Sequence, residues 1–296
     1  MTKPIIKTGS VTLTGSSMAI DLGCRADVVY FRCENGAAKH IWHWTRSAWT
    51  SRATPLGGHD STLDVVYDIT FDGVMLFGAD ALANVAGATL HWLAVCDNQS
   101  ETVSSTGWIG SNEQPTTFKA HNHGKEAIFF HVKRDSAIAP VVWAKGMSAG
   151  KSILADYIPE LLSDAVLTVE TDGDITVGNN DGINQLLGAS IGEGHMCVAY
   201  SASPYWSLVE YIGDGTANRN IASGGCAALV ISNSAQRGGF VTDKMPNAAV
   251  FANDVLQSVG VINSTSFTVN GEWNANGTKY WALVFKETSA PVMHYP

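Results

Sequence analysis

The chain has 296 residues, 45% hydrophobic and 15% charged, with 29 glycines, a composition that buries apolar surface well and excludes a mostly disordered polymer. A formal net charge of -9 with no Lys/Arg run excludes an extended phosphate-tracking surface, so nucleic acid is not an expected partner. No run of eighteen apolar residues occurs, and MTKPIIKTGSVTLTG lacks a secretion-signal core, which predicts a chain made in a cytosol without membrane insertion.

Abundant Gly, Thr, Ser, Asn and Val with few Lys or Glu predict an all-β fold of many short strands. Taken in chain order, the strand-like runs repeat. DVVYFRCEN from Asp27 is followed by Trp42, the irregular LDVVYDITFDG, the short strand GVMLFGADALAN and the closing strand ATLHWLAVCDN, Ala88 to Asn98. EAIFFHVKRD from Glu126, Trp143, ADYIPELLSDA, GDITVGNNDGIN and GHMCVAYSAS, Gly194 to Ser203, follow the same order. AALVISNS from Ala227, Phe240, AVFANDVLQSV, SFTVNGEWNANG and TKYWALVFKE, Thr278 to Glu287, repeat it again. The recurrence predicts three tandem jelly-roll-like β-sandwich modules, residues 1–98, 99–203 and 204–296, the last with a C-terminal tail.

In the last strand Trp281, Leu283 and Phe285 share one face and Tyr280, Ala282 and Val284 the other. Both faces are apolar, which predicts a central strand between a second sheet and a neighbouring module or subunit. A homo-oligomer, with a trimer as the guess, is expected on that ground.

Cys24, Cys33, Cys96, Cys197 and Cys226 are odd in number and scattered, which predicts reduced, buried thiols. No CxxC occurs, so neither a zinc ribbon nor a redox pair is expected, and no cofactor is implied.

Several constellations could carry chemistry. His40 and His43 flank Trp42, but residues three apart on a strand face opposite sides. His121 and His123 share a strand face with Glu126 nearby, which makes them a weak candidate for a metal site. His91 and His195 align with Tyr280 and read as packed amphipathic side chains. Asp172, Asp174 and Asp181 lack EF-hand spacing and read as a hairpin turn, matched by Asp72-Gly73 upstream. No nucleophile with a base is visible, so no catalytic residue is named. Trp273, in a loop with Glu272, Asn274 and Asn276, is the best-placed platform for a sugar ring. Tyr205 and Trp206, at the second module boundary, are the next candidates for such a platform, with an intermodule plug as the favoured reading.

The ordered stations, namely DVVYFR or AALVIS, a Trp, FANDVL, SFTVN, the N-x-N-G turn and YWALVFK, resemble the β-sandwich repeats of bacteriophage tail-fibre and related virion-surface proteins. The resemblance implies a non-enzymatic virion part of the tail-fibre or receptor-binding type, assembled in a host cytoplasm. Its implied partners are other virion proteins and a host-surface glycan. Capsid decoration, a polysaccharide-degrading virion enzyme and a stand-alone lectin-like module are the alternatives.

Overall fold

The computed structural model describes residues 3–34, 41–46, 54–55, 66–70, 72–79, 84–97, 101–111, 115–134, 139–155, 160–178, 183, 186–187, 191–192, 194–222, 224–234, 236–251 and 257–288. The all-β expectation holds: among these residues there are antiparallel strands, one 3-10 turn and no α-helix. None of their helices is long and apolar enough to cross a membrane.

The first part of the chain forms β1 (Ile5–Thr12), β2 (Met18–Asp21), β3 (Val28–Glu34), β4 (Trp42–Thr45), β5 (Thr54–Pro55), β6 (Val66–Ile69), β7 (Val74–Phe77) and β8 (Thr89–Cys96). Then come β9 (Val103–Ile109), β10 (Thr116–Lys119), β11 (Ala127–Arg134), β12 (Val141–Ala144), β13 (Lys151–Leu154), β14 (Glu160–Ser163), β15 (Val166–Val169), β16 (Asp174–Val177), β17 (Leu186–Leu187), β18 (Ile191–Gly192) and β19 (Gly194–Ser201). The remainder holds β20 (Trp206–Ile212), β21 (Arg219–Ala222), β22 (Ala227–Ser232), β23 (Gly239–Thr242), β24 (Ala249–Val250), β25 (Gly260–Ile262), β26 (Phe267–Val269) and β27 (Lys279–Phe285).

Three large sheets run in the orders β1-β8-β3-β4-β5, β14-β13-β12-β11-β19-β9 and β20-β27-β22-β23-β24. Three small ones run β2-β7-β6, β10-β16-β15 and β21-β26-β25, and β17 and β18 form a separate hairpin. The β15–β16 turn carries Asp172-Gly173, with Gly173 at φ 89° and its N–H donated to the Glu170 carbonyl. Glycine is required there twice over, because φ is positive and a Cβ would stand 2.3 Å from the His121 carbonyl oxygen. Asp172 and Asp174 direct their carboxylates at Lys119, so this segment is the expected hairpin turn; Asp181 lies outside the described residues.

Strand alternation decides where the apolar side chains go. Each large sheet packs on one small sheet: Val29, Phe31 and Trp92 meet Ile20, Val66, Met75 and Phe77 in the first pair. Phe130, Val132 and Cys197 meet Val166, Ile175 and Val177 in the second, and Val230, Tyr280, Ala282 and Val284 meet Ile262, Phe267 and Val269 in the third. The opposite faces of all three large sheets meet in a fourth core, with Tyr30, Leu93, Phe129, Val198, Tyr200, Leu229, Phe240, Trp281, Leu283 and Phe285. Each large aromatic here removes about 150–250 Å² from water, worth about 4–6 kcal/mol as an upper bound. The second apolar face of β27 is therefore covered by other parts of the same chain, and its exposure no longer calls for a second subunit.

The first strand and the segment just past β27 meet beside this core. Thr288 donates its N–H to the Ile6 carbonyl at 3.2 Å, accepts the Ile6 N–H at 2.8 Å and donates its hydroxyl to the Pro4 carbonyl at 2.8 Å. Thr8 of β1 donates to Asp243, just past β23, at 2.6 Å.

The cysteine expectation needs correction. Cys24 and Cys96 form a disulfide spanning 72 positions, whereas Cys33, Cys197 and Cys226 are buried free thiols. The odd count arises from one bridge plus three thiols, so cysteine usage no longer argues for a reducing compartment. β8 returns beside the turn between β2 and β3, and this brings together two thiols that sequence spacing alone keeps apart. A loop of that length gives a crosslink worth about 4 kcal/mol in the chain-entropy account. Cys24→Ser should therefore lower the thermal midpoint in non-reducing buffer, and a thiol reductant should lower the unmodified chain's midpoint while leaving the variant's in place.

Candidate functional site

Trp273 sits on the 3-10 turn Gly271–Asn274 between β26 and β27. Its side chain is 0% exposed, set edge-on to Phe267 with ring centroids 6.4 Å apart. The ring occupies the space left by Gly260, where a Cβ would come within 2.5 Å of it. The turn is drawn inward by its own backbone bonds: the Tyr211 hydroxyl donates to the Trp273 carbonyl at 2.8 Å, and the Tyr280 hydroxyl donates to the Glu272 carbonyl at 2.5 Å. Tyr211 and Tyr280 themselves stack, with centroids 4.9 Å apart.

The neighbours of Trp273 are equally engaged. Asn274, 0% exposed, donates its amide to Asp214 Oδ1 and the Thr216 carbonyl at 2.8 Å each. Asp214 also accepts from the Thr216 hydroxyl and N–H, and these bonds, the hydroxyl first, with the Asn274 amide after them, hold its carboxyl down to about 2. Glu272 takes a two-pronged pairing from Arg237, at 2.7 and 3.1 Å. Asn276 alone of the four is exposed. The expected sugar platform is thus a plug that closes the third sheet pair, with its aromatic face turned into the core.

The histidine candidates separate as well. His121 is 0% exposed with the His123 ring edge-on at 5.7 Å, and burial holds its imidazole down to about 4. Glu126 is committed elsewhere, with both carboxylate oxygens 2.8 Å from Lys145 Nζ. Among the described residues no three His, Cys, Asp or Glu side chains stand together as a metal would need. His40 lies outside the described residues, and His43 is buried.

His195 pairs with Trp108 across the ladder and stacks on it with ring centroids 6.0 Å apart, as Tyr280 does on Tyr211. His91 does not share that station. It stands opposite Arg32, on the face of Leu93 and Val95, and bonds Glu34 at 3.0 Å. Matching Trp92 to Trp281 in sequence slips the register by one, and a slip of one moves every side chain to the other face. Trp92 belongs to the first pair's own core, Trp281 to the shared one. Trp206 fills the plug role expected of it, 2% exposed, in the shared core against Tyr200 and Phe285.

Two features were missed in sequence. One is a cavity of about 220 Å³ beside the edge strand β15, lined by Glu126, Trp143, Lys145, Met147, Ser148 and Thr168 among others. Trp143 is 9% exposed and rests on Phe130 with rings 5.2 Å apart and 20° from parallel. The cavity thus combines the edge of an aromatic ring, two hydroxyls and an ion pair. Glu126 and Trp143 were both noticed in the chain, but 17 positions apart they gave no signal of a common site. The other is a polar layer in the shared core. There Tyr30 Oη lies 2.9 Å from His131 Nε2 and 2.8 Å from Tyr200 Oη, and the His43 and His131 rings are 4.6 Å apart.

No protein-family model matches the chain, and no curated protein matches it.

Trp273→Ala removes a wholly buried indole and should cost about 3–5 kcal/mol, read as a lowered denaturation midpoint. It should do so without the selective loss of glycan binding that an exposed platform would show.

Proposed function

We propose that the chain is a non-enzymatic structural protein of a bacteriophage virion, of the tail-fibre or receptor-binding type, built as three tandem jelly-roll-like sandwiches over residues 1–98, 99–203 and 204–296. One observation carries the reading. In each stretch the first strand pairs with the last, which pairs with the third strand or its counterpart: β1-β8-β3-β4, β9-β19-β11-β12 and β20-β27-β22-β23. The small sheets repeat likewise, as β2-β7-β6, β10-β16-β15 and β21-β26-β25. Such a scaffold presents rigid outer faces and loops, which suits docking and surface contact.

The inner faces of the large sheets are consumed within the chain, so contact with other virion proteins falls to the outside. There Ile109 and Ile212, the last residues of β9 and β20, are 54% and 60% exposed. The cavity beside β15 is the proposed contact for a host-surface glycan, with Lys145, Glu126, Ser148 and Thr168 supplying hydrogen bonds.

Purified phage particles carrying this gene should contain the chain by mass spectrometry, and antibody labelling in the electron microscope should mark the tail. Label on the head would instead support capsid decoration, and absence from particles would end the proposal. In the same preparation Lys145→Ala, at an exposed side chain lining the cavity, should weaken binding to host cells several-fold while leaving incorporation into particles unchanged.

A further inference from the structure

The shared core is apolar except toward one end, where a layer of ionisable groups crosses it. Tyr30 of β3 stands opposite His43 of β4, and His131 of β11 stands opposite Val198 of β19 and Val142 of β12. Tyr30, His43, His131 and Tyr200 are each 0% exposed. His131 Nε2 is engaged with Tyr30, but its Nδ1 is buried and makes no hydrogen bond among the described residues. Tyr30 also lies 6.3 Å, ring to ring, from Phe240 of the third large sheet, so all three sheets meet at this level.

The groups facing the His131 layer come from every strand around it. β3 presents Tyr30, Arg32 and Glu34, β4 presents His43, β8 presents His91, and β19 presents Tyr200. On β11 itself Lys133, 1% exposed, occupies the next inward position. Glu34 is bonded to His91. From the third sheet the described residues bring Leu229, Leu283 and Phe240 to the shared core, with the Cys226 thiol just before β22. Cys197 lies on the other face of β19, in the second pair's own core, and Asp97 beyond β8 acts on Tyr200 through its field.

We propose that this layer is an acid-responsive joint: proton uptake at His131 parts the three sheet pairs along their shared core, while the core inside each pair holds. A charged imidazole there would be wholly buried, with its Nδ1 facing no acceptor among the described residues and apolar side chains around it, an arrangement that disfavours the packed state. The three pairs keep separate cores built mainly of aliphatic and aromatic side chains, with His195 and His121 at the margin of the second. Proton uptake therefore weakens one joint selectively, as in other histidine-gated interfaces. The inference is independent of the virion reading.

Burial holds the His131 imidazole down to about 3, whereas an unfolded or released histidine protonates near 6.5. Its contribution is complete above pH 6.5 and is lost as pH falls toward 3. Asp27 and Asp97 are both raised by burial, so the packed state takes up their protons first and acid favours it through them. They cannot cause the loss. His121 is lowered by burial to about 4 and has the same sign as His131, but it adjoins Ala120 of the second pair's own core, which makes it the control.

Small-angle scattering and circular dichroism of the full chain from pH 7.5 to pH 4 test the proposal. The radius of gyration should rise and near-ultraviolet ellipticity should collapse while far-ultraviolet ellipticity is kept. His131→Gln, which retains a hydrogen-bonding group for Tyr30 but cannot charge, should move that expansion at least one pH unit lower, and His121→Gln should leave it unmoved. Absence of expansion down to pH 4, simultaneous loss of far-ultraviolet signal, or expansion moved by the His121 variant instead would overturn it. Should His131→Gln not fold, imidazole resonances of the unmodified chain decide the matter. One histidine should stay neutral until the expansion and protonate with it, and expansion preceding that protonation would overturn the proposal.

Discussion

The central strands of the large sheets are apolar on both faces, and the rest of the molecule follows from that. In β27 the odd-numbered Trp281, Leu283 and Phe285 serve the shared core and the even-numbered Tyr280, Ala282 and Val284 serve the third pair's own core. β3, β8, β19 and β22 divide their side chains in the same way. A sheet of this kind cannot stop at one partner, because its second face would remain a wide apolar surface in water. Three such sheets in one chain remove the problem by facing one another. The segments around β1 and just past β27 are then brought together, and Thr288 bonds Ile6 and Pro4.

This arrangement sorts side chains by role. Aromatic residues that look available on a turn are pulled inward to complete a core, as Trp273 is, with Arg237 and Asp214 holding the flanking polar groups. Space for a ligand is left where a small sheet's edge does not seal against the turn following a large-sheet strand, as at β15 and the segment after Trp143. Polar groups trapped in the shared core must satisfy each other, and Tyr30 does this by bonding His131 and Tyr200 across sheets from different parts of the chain.

Much of the fold could be read in the chain. Period-two alternation, the β-branched and aromatic runs and the Asp-Gly turns identify the strands and their hairpins, because each depends on neighbours a few positions away. The two apolar faces of the last strand were equally plain. The candidate site was less legible. Whether Trp273 lies in water or in a core depends on the room left by Gly260, on another strand. The pairing of Cys24 with Cys96 depends on β8 folding back past the turn after β2. The register that separates Trp92 from Trp281 is set by which face each sheet turns to its partner, and a sequence match on tryptophan cannot detect it.

The sequence by itself determined that this is an all-β chain whose central strands need cover on both sides, since local alternation and composition suffice for that. Only the tertiary structure decided what supplies the cover, which tryptophans are buried and which histidines meet. The meeting of the histidines in particular rests on contacts between residues about a hundred or more positions apart, such as Tyr30 with His131 and Tyr200, and these form only once the three large sheets close on one another.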